Sequence, residues 1–271
     1  MRGVRLLASC FVLVVGCGGT SGDPLGTPPA NQFGTGARLQ EILGPATWVN
    51  PADEMSVMCT GIPLDRRVDV TGVTINAVDD FDETNGGATG NVYVQDTPKD
   101  PTTPGVEYSG VTVFDPGFSP PDLRVVAGDV VDMSGALTEF PGPSSFRFDF
   151  CRTLPEFTGA VELRFEGSVI TPTKLAVTDL DTYEEARKWL GVLVTIENVT
   201  LQAPFPSTSG RYEIRVAGTP DPETAPSINN ELFDLEGEAL AEGMTLASVT
   251  GIVTFFFAVH IAPRSAADIV R

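Results

Sequence analysis

The stretch Val68-Asp69-Val70-Thr71-Gly72-Val73-Thr74-Ile75-Asn76-Ala77-Val78 decides the class of this protein. β-Branched residues are stiff about χ1, which suits a pleated strand better than a helix. Gly191-Val192-Leu193-Val194-Thr195-Ile196-Glu197-Asn198-Val199-Thr200-Leu201 has the same character. Outward from each stretch the sequence keeps matching. Gly90-Asn91-Val92-Tyr93-Val94 is followed later by Gly210-Arg211-Tyr212-Glu213-Ile214, and the run from Gly128 to Gly135 by the run from Gly243 to Gly251. Gly72 and Gly135 lie 63 positions apart, Gly191 and Gly251 lie 60 apart. Near-constant spacing argues for duplication of one unit of about a hundred residues. Gly, Pro and Asp punctuate almost everything between these runs, so the reading is an all-β sandwich or barrel.

Helix signals are scarce. One covers 37–43 and stops at Gly44-Pro45; a second covers 180–190 and stops at Gly191. The second has Asp179 or Asp181 as a possible N-cap, acids early and Arg187-Lys188 late, an order that suits the helix dipole.

The chain of 271 residues is 42% hydrophobic, enough for a sizeable core. Its 17 basic residues face 36 acidic ones, a net charge of -19. Arg2 and Arg5 precede the apolar run 6–16, which is too short to span a bilayer as a helix. Leu13-Val14-Val15-Gly16-Cys17 resembles the lipobox of bacterial lipoproteins. That resemblance implies cleavage before Cys17, diacylation of Cys17 and a lipid anchor in the cell envelope. Gly18, in place of an Asp, resembles the pattern of outer-membrane sorting. Loss of Arg2 and Arg5 leaves 15 basic against 36 acidic residues, or -21. Such a field repels phosphate backbones, which proteins hold through cationic groups. Of the four cysteines only Cys59 and Cys151 then remain, and an oxidising compartment predicts a disulfide between them.

Val70-Thr71-Gly72-Val73, Asn91-Val92-Tyr93-Val94-Gln95-Asp96, Gly110-Val111-Thr112-Val113-Phe114 and Val126-Ala127-Gly128-Asp129-Val130-Val131 with Gly135 together resemble the OB-fold domain of exported bacterial nucleases. The second unit matches more loosely and lacks the Gln-Asp and Gly-Asp pairs. The resemblance implies two tandem OB-like five-stranded β-barrels, with the short helix at about 180–190 leading into the second. The expected organisation is a signal peptide at 1–16, a Gly/Pro/Ser/Thr tether at 17–36, an N-terminal extension with a short helix at 37–64, and barrels at 65–172 and 173–271. The catalytic domain that accompanies this module in nucleases has no counterpart in the sequence.

Chemistry-bearing motifs are few. The single histidine, His260, sits in an apolar strand without a Cys or carboxylate neighbour in sequence and reads as structural. The loop Asp79-Asp80-Phe81-Asp82-Glu83-Thr84-Asn85 offers oxygen ligands for a hard cation such as Ca²⁺: Asp79, Asp80, Asp82, Glu83 and Asn85. It is not an EF-hand, because the twelfth position from Asp80 is Asn91 where a Glu is needed. OB-folds bind ligands on the outer face of strands two and three. Strand alternation puts Val92 and Val94 inside and Asn91, Tyr93 and Gln95 on that face, with Tyr108, Thr112 and Phe114 beside them. A polypeptide or carbohydrate suits the face better than nucleic acid, given the acidic loop and only three lysines (Lys99, Lys174, Lys188). The expected function is therefore a non-catalytic binding or scaffolding lipoprotein. An accessory nucleic-acid-binding protein is the first alternative, and a metal-dependent enzyme using loop 79–85 the second.

Overall fold

The computed structural model describes residues 36–44, 66–87, 89–100, 102–143, 148, 152–206, 211–219 and 225–271. The lipobox with Cys17, the tether, Cys59 and Cys151 all lie outside the described residues.

Two closed five-stranded β-barrels follow one another. The first uses β1 (Arg66–Val78), β2 (Val92–Asp96), β3 (Gly110–Val113), the short β4 (Gly117–Ser119), β5 (Val130–Phe140) and β6 (Leu154–Phe165). Strand β1 pairs antiparallel with β2 and β5, β2 with β3, and β5 with β6; parallel pairing of β3 with β6 closes the barrel. The second barrel has β7 (Thr173–Leu175), β8 (Leu193–Pro206), β9 (Tyr212–Val216), β10 (Ser227–Asn229), β11 (Thr245–Phe256), β12 (Ala258–Ala262) and β13 (Ile269–Val270). Its five main strands repeat the same ladder, with β10 and β12 closing it in parallel. This is the OB strand order in both units.

Alternation builds the cores. Along β5, Val131, Met133 and Leu137 enter the first core, and from Asp132 to Phe140 every second residue is partly or fully exposed. Gly135 is required on that inner row: a Cβ there would stand 2.2 Å from the Thr158 carbonyl oxygen and 2.8 Å from the Gly159 Cα. Each barrel is also plugged by a helical segment. Leu39 and Leu43 of α1 (Leu39–Leu43) enter the first core. Leu180, Tyr183, Ala186 and Leu190 enter the second.

The short helix expected before the second barrel is present, but it is shorter than 180–190. Only α2 (Tyr183–Ala186) is α-helical, flanked by 3-10 turns at Val177–Leu180 and Arg187–Trp189. Its N-cap is Thr182, whose hydroxyl accepts from the Glu185 N–H at 3.2 Å. Asp179 instead accepts from the Ala176 N–H at 2.8 Å, holding the earlier turn.

The repeat is real in architecture but its register is not the one that glycine spacing suggests. Gly128 donates to the Ile75 carbonyl while Ile75 donates to the Asp129 carbonyl, both at 2.8 Å. Gly243 and Leu201 do the same: Gly243 donates to Leu201 at 2.9 Å, and Leu201 donates to Met244 at 2.8 Å. Ile75 therefore corresponds to Leu201. Three positions earlier, Gly72 corresponds to Asn198, and both hold left-handed backbones (φ 70° and 55°). Asn tolerates that conformation better than other non-glycine residues. By the same ladder Tyr93 corresponds to Arg215, not to Tyr212.

Candidate functional site

The face expected to bind a ligand on the first barrel is covered by the second. Tyr93 is 1% exposed and Gln95 0%. Tyr93 joins Ala77 from its own barrel and Leu193, Leu232, Ile252 and Ala262 from the other in an apolar cluster separate from both cores. The Gln95 side-chain carbonyl accepts from the Leu193 N–H at 3.0 Å and from the Asn76 amide at 3.2 Å, and that amide also donates to the Gly191 carbonyl at 3.1 Å. Backbone meets backbone beside them: a Cβ on Gly110 would lie 2.3 Å from the Gly191 carbonyl carbon. Tyr108 is half-buried and its N–H donates to the Lys188 carbonyl at 2.6 Å. Thr112, paired with Tyr93 and Glu156, is buried too. Val92 and Val94 enter the first core while Tyr93 joins the cluster between the barrels, but Tyr108 packs against the first core, and alternation could not show that a second barrel lies over this face.

The other OB binding loop of the first barrel is also engaged. The β5–β6 hairpin brings Phe140, Phe148 and Leu154 onto the second core. Behind them Glu139 and Arg187 form a buried ion pair, Oε1 to Nη2 2.6 Å. Thr153 donates its hydroxyl to Glu139 at 2.7 Å, and Arg187 donates to the Tyr183 hydroxyl at 3.0 Å. A buried pair survives only when such partners compensate its desolvation.

The acidic loop between β1 and β2 divides its side chains instead of gathering them. Asp80 and Asn85 are exposed. Asp82 folds back on its own loop, accepting from the Thr84 N–H and hydroxyl and from the Gly86 and Gly87 N–H groups at 2.8–3.2 Å. Asp79 and Glu83 turn inward and are 3% and 4% exposed. Among the described residues no group of three or more His, Cys, Asp or Glu side chains is arranged to hold a metal ion. The five candidate Ca²⁺ ligands are thus divided, Asp79 and Glu83 buried and Asp80 and Asn85 exposed.

What the inward pair meets is a cavity of about 310 Å³ on the seam, lined also by Asn91, Phe114, Asp115, Arg211 and Glu231. Phe114, from the predicted face, is half-exposed, and Asn91 holds the loop by accepting from the Asp79 N–H at 2.8 Å. Glu83 pairs with Arg211 at 2.9 Å, and the Arg211 guanidinium lies 4.5 Å from the centre of the Phe256 ring. Glu231 accepts from the Tyr93 hydroxyl, from Thr254 at 2.7 Å and from Asn229 at 3.2 Å. Asp79 Oδ1 and Glu83 Oε2 are buried without a hydrogen-bond partner.

Burial, reinforced by Glu231, Glu83 and Asp80, pushes the Asp79 carboxyl from 3.8 up to about 8. Burial also raises Glu83, although its own backbone N–H and Arg211 pull the other way. The Tyr93 hydroxyl is held above its usual value, first by burial and then by the Glu231 charge.

No protein-family model matches the chain. No curated protein matches it either.

Nothing in the sequence pointed to Arg211, Asp115 or Glu231. Glu231 lies 138 positions from Tyr93, and only closure of the second barrel brings it to the loop. His260 behaves as expected of a structural histidine. It is 1% exposed, with Nδ1 2.8 Å from the Ser227 hydroxyl and Nε2 3.3 Å from the Phe256 carbonyl. Glu213 stands 4.0 Å from the same Nδ1 that Ser227 contacts, and Ser227 is buried, so the trio lacks the geometry and the access of a nucleophile, base and orienting acid.

Proposed function

We propose that this chain is a non-catalytic binding or scaffolding protein of the bacterial cell envelope, lipid-anchored on Cys17 and sorted to the outer membrane. The anchor and its address rest on the lipobox-like segment at 13–17 and the tether behind it. One observation carries the binding role: at the place where an OB-fold takes its ligand, the first barrel meets the second, and the opening left at that seam is lined by Asp79, Glu83, Asp115 and Glu231. Carboxylates there favour a positively charged group and oppose a phosphate backbone. A nucleic-acid strand would also find the stacking residue Tyr93 buried.

The test has two arms. Mass spectrometry of the mature N-terminal peptide is expected to find Cys17 acylated; an unmodified Cys17 contradicts the anchor. Fluorescence anisotropy with labelled oligo(dT) at low salt is expected to show no saturation in the micromolar range. Micromolar binding that weakens steeply with salt would install the nucleic-acid reading instead.

A further inference from the structure

The seam cavity has the chemistry of one class of ligand. Four carboxylates line it and Arg211 is the one base among the lining residues. Two carboxylate oxygens, on Asp79 and Glu83, are buried and lack any donor, which is a costly state for an acceptor inside a protein. A ligand supplying N–H groups removes that cost. A metal ion would need the carboxylates to converge, and they do not. The volume, about 310 Å³, lies at the lower end of small-molecule sites and far exceeds a single ion. The half-exposed Phe114 ring adds an aromatic surface of the kind that attracts organic cations. Arg211 shows the arrangement already at work, its guanidinium held between the Glu83 carboxylate and the Phe256 ring.

We propose that the seam cavity binds an organic cation, an alkylammonium or guanidinium group, through Asp79, Glu83 and Glu231 beside Phe114. An ammonium brings three donors and a guanidinium five, the groups that the two orphaned oxygens lack. The group can come from a free small amine or from a lysine or arginine side chain of a polypeptide. This inference rests on the binding reading above and narrows it to a ligand class.

Calorimetric titration of the full chain, run above the pH of about 8 at which Asp79 gives up its proton, tests it with three probes: agmatine, an acetylated and amidated trilysine peptide, and CaCl₂. Saturable binding of agmatine or the peptide, weakened about tenfold by Asp79→Asn and less than twofold by Asp80→Asn at the exposed neighbour, is the expected result. Tighter agmatine binding assigns the site to small amines, and tighter peptide binding to a polypeptide; both uphold the cation class. Glu231→Gln, which keeps the shape, guards against a folding artefact at Asp79 and is expected to weaken the same probe. Absence of saturation by both organic probes overturns the inference, as does equal weakening by Asp80→Asn. Calcium binding lost in Asp79→Asn without organic-cation binding also overturns it. None of these outcomes bears on the oligo(dT) arm, so failure of the ligand class and failure of the binding reading remain separate results.

Discussion

The two barrels share a strand order, a left-handed residue in the first strand and the same pair of backbone hydrogen bonds, yet they use their second strands differently. In the first barrel, Gln95 holds the neighbouring barrel through the Leu193 N–H. The next residue, Asp96, caps the plug helix α1, accepting from the Leu39 and Gln40 N–H groups at 2.9 and 3.1 Å. The ladder puts Ala217 and Gly218 at the corresponding places in the second barrel. That barrel caps its own plug locally with Thr182. The Gln-Asp pair that the second unit lacks is therefore architectural: one residue joins barrels, the other fastens a plug. A side chain that points out of an OB barrel on its second strand is not by that fact a ligand-binding one.

The joint between the barrels is most vulnerable at the buried Glu139–Arg187 pair, where the largest effect is expected. Arg187→Met strands Glu139 as a buried charge and should cost about 3–5 kcal/mol in urea unfolding. A cost below about 1 kcal/mol would mean that the hairpin of the first barrel does not depend on the second. Next is Gly191→Ala. The position has φ 76° and an added Cβ would stand 2.3 Å from the Val111 nitrogen, so a loss of about 2–4 kcal/mol is expected. An unchanged midpoint would show that the barrels are not in backbone contact.

Asp79 makes the seam sensitive to pH. Its folded-state carboxyl, surrounded by Glu231, Glu83, Asp80, Arg211 and the Tyr93 hydroxyl, titrates near 8 instead of 3.8. Between those values the folded chain keeps a proton that the unfolded chain has released. The resulting stability is complete below about pH 4 and is lost as pH rises toward 8, with a limiting slope of about 1.4 kcal/mol per pH unit. Asp79→Asn should flatten this slope; an identical pH profile in wild type and variant would contradict the burial of that carboxyl. Tyr93→Phe removes one of three donors to Glu231 and should cost about 1 kcal/mol. Smallest of all, Asn198→Gly should change stability by less than about 0.5 kcal/mol, because it restores the residue type found at Gly72. A large change there would undo the repeat register.

Much of the fold was legible because strand alternation and turn residues are local. The β-branched runs at 68–78 and 191–201, and the glycines flanking them, were enough for two all-β units of sandwich or barrel type; five-stranded barrels were implied only by the resemblance to an OB-fold domain. The register was not legible, since Asn198 does the work of Gly72 and glycine matching passed it over. The helix at 180–190 was overestimated because the charge order suits a helix, while Thr182 and the two 3-10 turns break it into short pieces. Of the candidate site, Asp79, Glu83, Asn91 and Phe114 do line one cavity, whereas Tyr93, Gln95 and the Tyr108 backbone belong to the joint. Arg211 and Glu231 arrive from another barrel, and no local pattern announces that.

The second barrel lies over the binding face of the first. Residue-resolved amide hydrogen exchange by NMR tests this most directly at Tyr108 and Leu193, whose N–H groups cross the seam to the Lys188 carbonyl and the Gln95 side chain. Both amides should exchange as slowly as those of the core strands β5 and β11, through a shared global opening. Exchange near the rate of an unstructured chain at both amides, with β5 and β11 still protected, would show two independent barrels and an open face.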